Sequence, residues 1–382
     1  MRTVSATIVG YHGYKNFGDD IFLNIVCAWL NRELNVTSCN VTSKKGARKQ
    51  EICGVEVRPF YNVVSFINRC FWFSIFKHAL RTDYLIFSAG SIFSIQPFML
   101  MFVVLKVLRL LKGNRLKVVA IGVSIGPFYS SSDRLWCSRA LGLMDQVLLR
   151  DRQSSKLIET MSEVIHTRTS YDLALLWGVV LKDSAREDHS KFIALSITER
   201  GFGDCTEKHS NNCEVITSVI SRMLSSNTEI KLRIFDICAD TKDGDLAIAS
   251  HLFGRLPQWS GRIEICRYHG DNLDAILGQM ASCSAMICSR MHAGVMATLN
   301  QVPVFQISYA EKIRNFFLHS GLDTKYLVDS NDLNEIELYD FLHYAIAGDL
   351  NLFAQSQKEV LLEKGDQLRL ALTDIASLFK RI

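Results

Sequence analysis

Ser284-Ala285-Met286-Ile287-Cys288 is a short apolar run, and Ser289-Arg290-Met291-His292-Ala293-Gly294 follows it directly. The run predicts a buried strand. Met291 to Asn300 predicts a helix, with Ala, Met and Leu carrying the pattern, and Val302-Pro303-Val304-Phe305-Gln306-Ile307 predicts the next strand. Strand, helix and strand in that order make a β-α-β unit whose strands run parallel. Arg290 and His292 then stand where a strand ends and a helix begins. Open backbone N–H groups and the positive end of the helix dipole favour an anion at such a turn. A cation and an imidazole added there make an anion site with a proton donor. Ser308-Tyr309-Ala310-Glu311-Lys312 follows the second strand and puts Lys312 at the same carboxyl edge.

The same grammar runs outward from this unit. Thr3 to Val9 predicts the first strand; it ends in Gly10-Tyr11-His12-Gly13-Tyr14-Lys15-Asn16-Phe17-Gly18-Asp19-Asp20, and a helix follows from Ile21 to Leu30. A glycine-rich strand-to-helix turn resembles a phosphate loop, but its spacing is not G-x-G-x-x-G and two acids would repel a phosphate. The loop either holds a carboxylate for sugar hydroxyls or caps the helix with Asp. Asp83 to Phe87, Leu116 to Ile121 and Gln146 to Leu149 predict further strands, ending in Ser88-Ala89-Gly90-Ser91, Gly122-Val123-Ser124-Ile125-Gly126-Pro127 and Arg150-Asp151-Arg152-Gln153-Ser154. Lys182 to Asp188 reads as a polar linker. Strands resume at Phe192 to Ile197, Ile230 to Asp236 and Ile263 to Cys266. Near the end, Leu361, Leu368, Leu372, Ile375 and Phe379 share one helical face. Alternating strands and helices indicate parallel α/β sheets, and ligands of open parallel sheets lie outside the carboxyl ends of the strands. The expected division is 1–180, 190–345 and a terminal helix over 346–382.

A chain of 382 residues with 48% hydrophobic and 21% charged content is ordinary for a two-domain globular protein. Its 11 cysteines are scattered without a C-x-x-C pair, which favours reduced thiols in a cytoplasmic protein over a disulfide frame or a zinc site. No secretory signal is visible at Met1-Arg2-Thr3-Val4-Ser5. No metal, cofactor or nucleic-acid partner is expected. Charge is uneven: residues 1–120 hold sixteen Lys or Arg against six Asp or Glu, a balance of +10, and the whole chain is +4, so the remainder is −6. The basic part also carries the apolar runs Phe60 to Phe76 and Pro97 to Leu111, both shorter than the roughly 20 residues of a bilayer span. They read either as two buried helices with snorkelling cations or as a surface that docks peripherally on an anionic membrane.

Asp19, Arg150, Arg290 with His292, and Lys312 all lie at carboxyl ends of predicted strands, shared between the two halves. If the two sheets face each other, these groups converge on one cleft. Arg grips a carboxylate or phosphate with paired hydrogen bonds, Lys adds a point charge, and His exchanges a proton near neutral pH. That set suits a small polyanion that is protonated as it reacts.

The motifs resemble those of the polysaccharide pyruvyl transferase family: Asn16-Phe17-Gly18-Asp19-Asp20, Ser88-Ala89-Gly90-Ser91, Ser124-Ile125-Gly126-Pro127, Arg150-Asp151 with Ser154, Tyr171-Asp172, Ser289-Arg290-Met291-His292-Ala293, and Pro303 followed by Tyr309 and Lys312. They keep the family's order over positions 16 to 312; where the family usually carries three glycines, this chain has Ser88-Ala89-Gly90. The resemblance implies two Rossmann-like parallel-sheet domains facing a central cleft, similar to GT-B glycosyltransferases. It implies phosphoenolpyruvate as donor, a sugar of a bacterial surface glycan or its lipid-linked precursor as acceptor, and a pyruvate ketal as product. His292 would then be the acid, Asp19 an acceptor-orienting group or base, and Arg150, Arg290, Lys312, Asn16, Gly90 and Tyr309 substrate-binding residues. A sugar-nucleotide glycosyltransferase of the same architecture is the rival reading.

Overall fold

The computed structural model describes residues 4–44, 47–61, 69–88, 90–94, 97–180, 191–199, 206–238 and 245–380. The expected linker over 182–188 lies outside them. The chain divides into two compact units, Met1–Gly13 with Asp19–Val180 and Lys364–Ile382, and Tyr14–Gly18 with Leu181–Glu363.

In the first unit the elements are β1 (Val4–His12), α1 (Phe17–Leu34), β2 (Val36–Ser43), β3 (Gln50–Ile52), β4 (Val55–Tyr61), α2 (Arg69–Ala79), β5 (Tyr84–Phe87), α3 (Phe98–Lys112), β6 (Lys117–Val123), α4 (Ser131–Leu141), β7 (Gln146–Leu149), α5 (Arg152–Glu159), β8 (Thr167–Thr169) and α6 (Trp177–Val180). Its strands are ordered β3-β4-β2-β1-β5-β6-β7-β8, all neighbours parallel except β3 with β4. All seven residues of β6 are buried, as expected of a strand covered on both faces. β2 escapes a hydrophobic reading because it is written Val-Thr-Ser-Cys-Asn-Val-Thr-Ser. Its polar groups are met by the neighbouring strand: the Thr42 hydroxyl accepts from the Gly10 N–H and donates to the Gly10 carbonyl, each at 2.8 Å.

The second unit contains β9 (Phe192–Ser196), α7 (Thr206–Ser226), β10 (Lys231–Asp236), α8 (Leu246–Gly254), β11 (Ile263–Arg267), α9 (Leu273–Ala281), β12 (Cys283–Cys288), α10 (Met291–Leu299), β13 (Val304–Ser308), α11 (Glu311–Ser320), β14 (Leu327–Asp329), α12 (Glu335–Ala347) and the start of α13 (Asn351–Lys380). The order is β11-β10-β9-β12-β13-β14. β12 and β13 pair in parallel, with Ile287 opposite Phe305, as the β-α-β reading requires. Strand order reverses beside β1 in the first unit and beside β9 in the second. Loops leave such a point in opposite directions and open a crevice at the carboxyl edge.

Two expectations need correction. The run Phe60 to Phe76 is not one helix: Phe60 and Tyr61 end β4, which pairs with β2, and the helix starts only at Arg69. Pro97 to Leu111 does form a helix, α3, but it is not wholly buried. Phe98, Met101, Val104, Leu105 and Leu108 face the core, while Met99, Val103, Leu110 and Leu111 are exposed. The terminal helix begins at Asn351, after α12, and its Lys364–Lys380 part belongs to the first unit. There the Trp29 indole N–H donates to the Leu372 carbonyl at 3.2 Å. Leu368 is fully buried whereas Leu370 is 56% exposed. Leu368→Ala should therefore cost about 2–5 kcal/mol in urea unfolding, against about 0.5 kcal/mol or less for Leu370→Ala.

Candidate active site

In the second unit the residue after β12 is fixed before its side chain acts. Ser289 and Arg290 both donate backbone N–H groups to the Ser196 carbonyl, at 2.9 and 3.4 Å. The Ser289 hydroxyl accepts from the Thr198 N–H at 2.9 Å. These bonds join the ends of β9 and β12 at the reversal point. Arg290 is the N-cap of α10, and its side chain turns to Asp245: Nε and Nη2 both donate to Oδ1, at 2.9 and 2.5 Å. Asp245 is fully buried. Its other oxygen accepts from the Ile237 N–H at 3.3 Å. Burial pushes the Asp245 carboxyl up to about 6 despite the Arg290 charge and these hydrogen bonds, with Asp236 adding to the rise. For Arg290, burial works against the charge, but Asp245 outweighs it and the guanidinium is held more firmly protonated. Tyr309 and Cys238 lie near enough to support that charge.

The Asn16-Phe17-Gly18 stretch belongs to this same unit. Asn16 bridges Cys238, and the Phe17 N–H donates to the Ile237 carbonyl at 3.1 Å. The Phe17 ring meets Tyr268 edge-to-face at 5.7 Å. Asn16 Oδ1 accepts from the Gly18 N–H at 3.2 Å, so its amide shapes the turn. Gly18 is buried under the imidazole of His292: a Cβ there would stand 2.8 Å from Cε1 and 2.9 Å from Cγ. The absence of a side chain at Gly18 is what lets the ring occupy its place. His292, the second residue of α10, is half-buried. Lys312 is the second residue of α11 and exposed, with Nζ 6.0 Å from the Tyr309 ring centre. Asn16, Arg290, His292, Tyr309 and Lys312 thus share one unit, at the ends of β10, β12 and β13.

Arg150, Gly90 and Asp19 belong to the first unit. Arg150 follows β7; its Nε donates to the Ser124 hydroxyl at 2.7 Å and its Nη1 to Asp172 at 2.9 Å. Ser124 in turn donates to Asp151 at 2.6 Å, and Asp151 caps α5 through the Ser154 N–H at 2.7 Å. Gly90 lies against the guanidinium; a Cβ there would be 2.6 Å from Cζ. Asp19 sits in the first turn of α1, and its carbonyl accepts from His12 Nδ1 at 3.2 Å. Burial lowers the His12 value to about 4, with the Asp19 carbonyl opposing it. His12 is therefore neutral at physiological pH. The α1 helix starts at Phe17 rather than Ile21, so Asp19 lies inside it and is not its cap.

Sequence reading missed Asp245 and His12 as parts of these clusters. His12 was visible within a glycine-rich turn, and its burial was the missing clue. Asp245 lies 45 residues from Arg290 in the chain and belongs to no local pattern. Among the described residues no group of three His, Cys, Asp or Glu side chains is placed to hold a metal ion.

Comparison with solved structures gives neighbours over nearly the whole chain. UDP-GlcNAc 2-epimerase of Methanocaldococcus jannaschii aligns with TM-score 0.56 and 10% identity, over 90% of this chain and 93% of its own. Anabaena HepE in complex with UDP-glucose aligns at 0.56 and 9%, over 97% and 99%. A glycosyltransferase of Rickettsia africae aligns at 0.57 and 9%, over 100% and 99%. The two parallel-sheet units are thus those of GT-B glycosyltransferases and epimerases. No curated protein sequence matches the chain. The sequence model described as polysaccharide pyruvyl transferase matches residues 16–311, a span that takes in Asn16, Arg150, Arg290 and His292 and stops one residue before Lys312. A match over most of the chain, including the residues fixed at both sheet edges, makes the chain a member of the polysaccharide pyruvyl transferase family.

Proposed function

We propose that the protein transfers the pyruvyl group of phosphoenolpyruvate to two hydroxyls of one sugar in a bacterial surface glycan or its lipid-linked precursor, releasing phosphate and leaving a pyruvate ketal. One observation carries the reading. A buried carboxylate holds Arg290 at the same sheet edge, in the same unit, as His292, Tyr309 and Lys312. Two helices, α10 and α11, also start there, and their amino ends add positive potential.

Arg290 and Lys312 hold the donor's phosphate and carboxylate in this reading. His292 gives its proton to the methylene carbon, which becomes the methyl group. The adjacent carbon gains oxocarbenium character, and a sugar hydroxyl adds to it. Its bond to the phosphate oxygen then breaks, and the second hydroxyl closes the ketal. Of the two hydroxyl protons, one restores His292 and the other leaves with phosphate or a base. In the first unit, Asp19 orients an acceptor hydroxyl or takes its proton, and Arg150, fixed by Asp172, binds an anionic group. No resident cofactor is needed.

The test is incubation with phosphoenolpyruvate and a candidate lipid-linked sugar. Ketal formation with equimolar phosphate is expected; release of a nucleoside diphosphate from a sugar nucleotide instead would overturn the reading. Arg290→Ala and Lys312→Ala should each weaken donor binding about tenfold to a hundredfold, since a charge-assisted bond contributes about 1.5–3 kcal/mol. Calorimetry checks this. His292→Gln should keep the fold and donor binding but lose about 10²–10⁴ in turnover; near wild-type turnover would remove His292 as the acid.

Asp245 has a separate consequence. Its carboxyl is raised in the folded chain from 3.8 to about 6, so the folded state takes up a proton more readily than the unfolded one. The stability tied to that proton is present below pH 3.8 and is lost as pH rises through about 6. Between these limits the wild type should lose up to roughly 3 kcal/mol relative to Asp245→Asn. Urea unfolding of both proteins at pH 4 and pH 6.5 reads the difference; parallel pH profiles would refute it.

A further inference from the structure

We infer that the outer face of α3, with the neighbouring face of α2, docks the protein on an anionic lipid surface. The inference is independent of the reaction proposed above.

A helix packed on a sheet ordinarily turns a polar face to water. The outward residues of α3 instead include Met99, Val103, Val107, Leu110 and Leu111, with Leu110 77% exposed. Helix α2 lies alongside: Lys112 Nζ, on the last turn of α3, donates to the carbonyl of Ala79, the last residue of α2, at 3.3 Å and also to that of Thr82, three residues beyond it. On α2, Phe73 is 68% exposed.

Charge identifies the occupant. From residue 57 to residue 132 the sequence holds nine Lys or Arg and a single acid, Asp83. That acid turns inward, accepting from the Ser5 N–H at 3.0 Å. Arg109 is also turned inward, to Asp145 and the Leu143 carbonyl. Lys77, Arg81, Lys106 and Arg115 are exposed. Lys106 Nζ sits 5.5 Å from the Phe102 ring centre, so its stem lies along apolar surface, in the manner of a cation at a membrane interface. A second copy of the chain would bring the same positive charge against this face and be repelled. A neutral apolar partner would leave the cations uncompensated. An anionic bilayer satisfies both features: the apolar side chains enter the headgroup boundary and the cations meet lipid phosphates. Spanning is excluded for α3 by length, since 15 residues extend about 22 Å against a hydrocarbon core of about 30 Å. Among the described residues no helix is long and apolar enough to cross a membrane.

The experiment is sedimentation of the full chain with vesicles of phosphatidylcholine alone and of equal parts phosphatidylcholine and phosphatidylglycerol. Wild type should partition onto the anionic vesicles and not the neutral ones, and added salt should weaken the binding. Leu110→Glu, at an exposed site, should reduce partitioning about tenfold to a hundredfold. Lys106→Ala should reduce it about fivefold. Absence of binding, equal recovery on both vesicle types, or unchanged partitioning of Leu110→Glu would each overturn the inference. So would a dimer in light scattering that Leu110→Glu dissociates, because it would assign the face to a second copy.

Discussion

A parallel strand covered on both faces has room for polar chemistry only at its ends. β6 and β9 are buried along their whole lengths, and the one charged residue in either, Lys117, stands at the amino end of β6. The candidate site groups named from the sequence accordingly lie in segments that follow strands: Asp19 in the helix after β1, Arg150 after β7, Arg290 and His292 after β12, Lys312 after β13, with Asp245 in the connection that follows β10. Reversal of strand order beside β1 and β9 selects which of those ends border a crevice. Fold and site follow from one requirement, that buried backbone be satisfied by neighbouring strands before any side chain is placed.

The second requirement is that a cation at such an edge be aimed. Arg150 and Arg290 are each mostly buried and each tied to a carboxylate, Asp172 and Asp245, that is almost fully buried. A buried ion pair contributes little net stability, because desolvation offsets attraction. At Asp245 burial outweighs the pairing and raises the carboxyl, whereas at Arg290 the pairing outweighs burial. What the arrangement provides is direction. Asp245 engages Nε and Nη2 through one oxygen, which fixes the guanidinium plane without lengthening the loop.

Legibility in the sequence followed the same physics. Strands buried on both faces were easy to read, because unbroken apolar runs such as Val147 to Leu149 fall within the observed β7. Strands satisfied through side-chain hydroxyls, such as β2, were not, since Thr42 bonded to Gly10 looks like a turn residue until the neighbour is known. The edge strands β3 and β8 are three residues each and exposed or half-buried, too short for periodicity. Arg290, His292 and Lys312 were legible because the β-α-β unit that places them is contiguous. Asp245 was not, because its meaning lies wholly in a contact with a residue far along the chain. The apolar runs show the limit of hydrophobicity as a signal: Phe60 lies at the end of a strand, while the apolar residues of α3 are split between core and surface.

The glycines of the motifs illustrate how far a local reading extends. A glycine-rich turn after a strand suggests a backbone that wraps a phosphate, and two acids beside Gly18 argue against it. Gly18 instead makes room for the His292 ring, and Gly90 makes room for the Arg150 guanidinium. In each unit a residue early in the chain lacks a side chain, and a side chain from far downstream lies over it. Any substitution at either position must displace the imidazole or the guanidinium, or shift the backbone beneath it. These glycines are therefore part of the geometry of His292 and Arg150. Of the Ser88-Ala89-Gly90 stretch, Gly90 is the residue on which Arg150 packs, so the departure from three glycines leaves that contact intact.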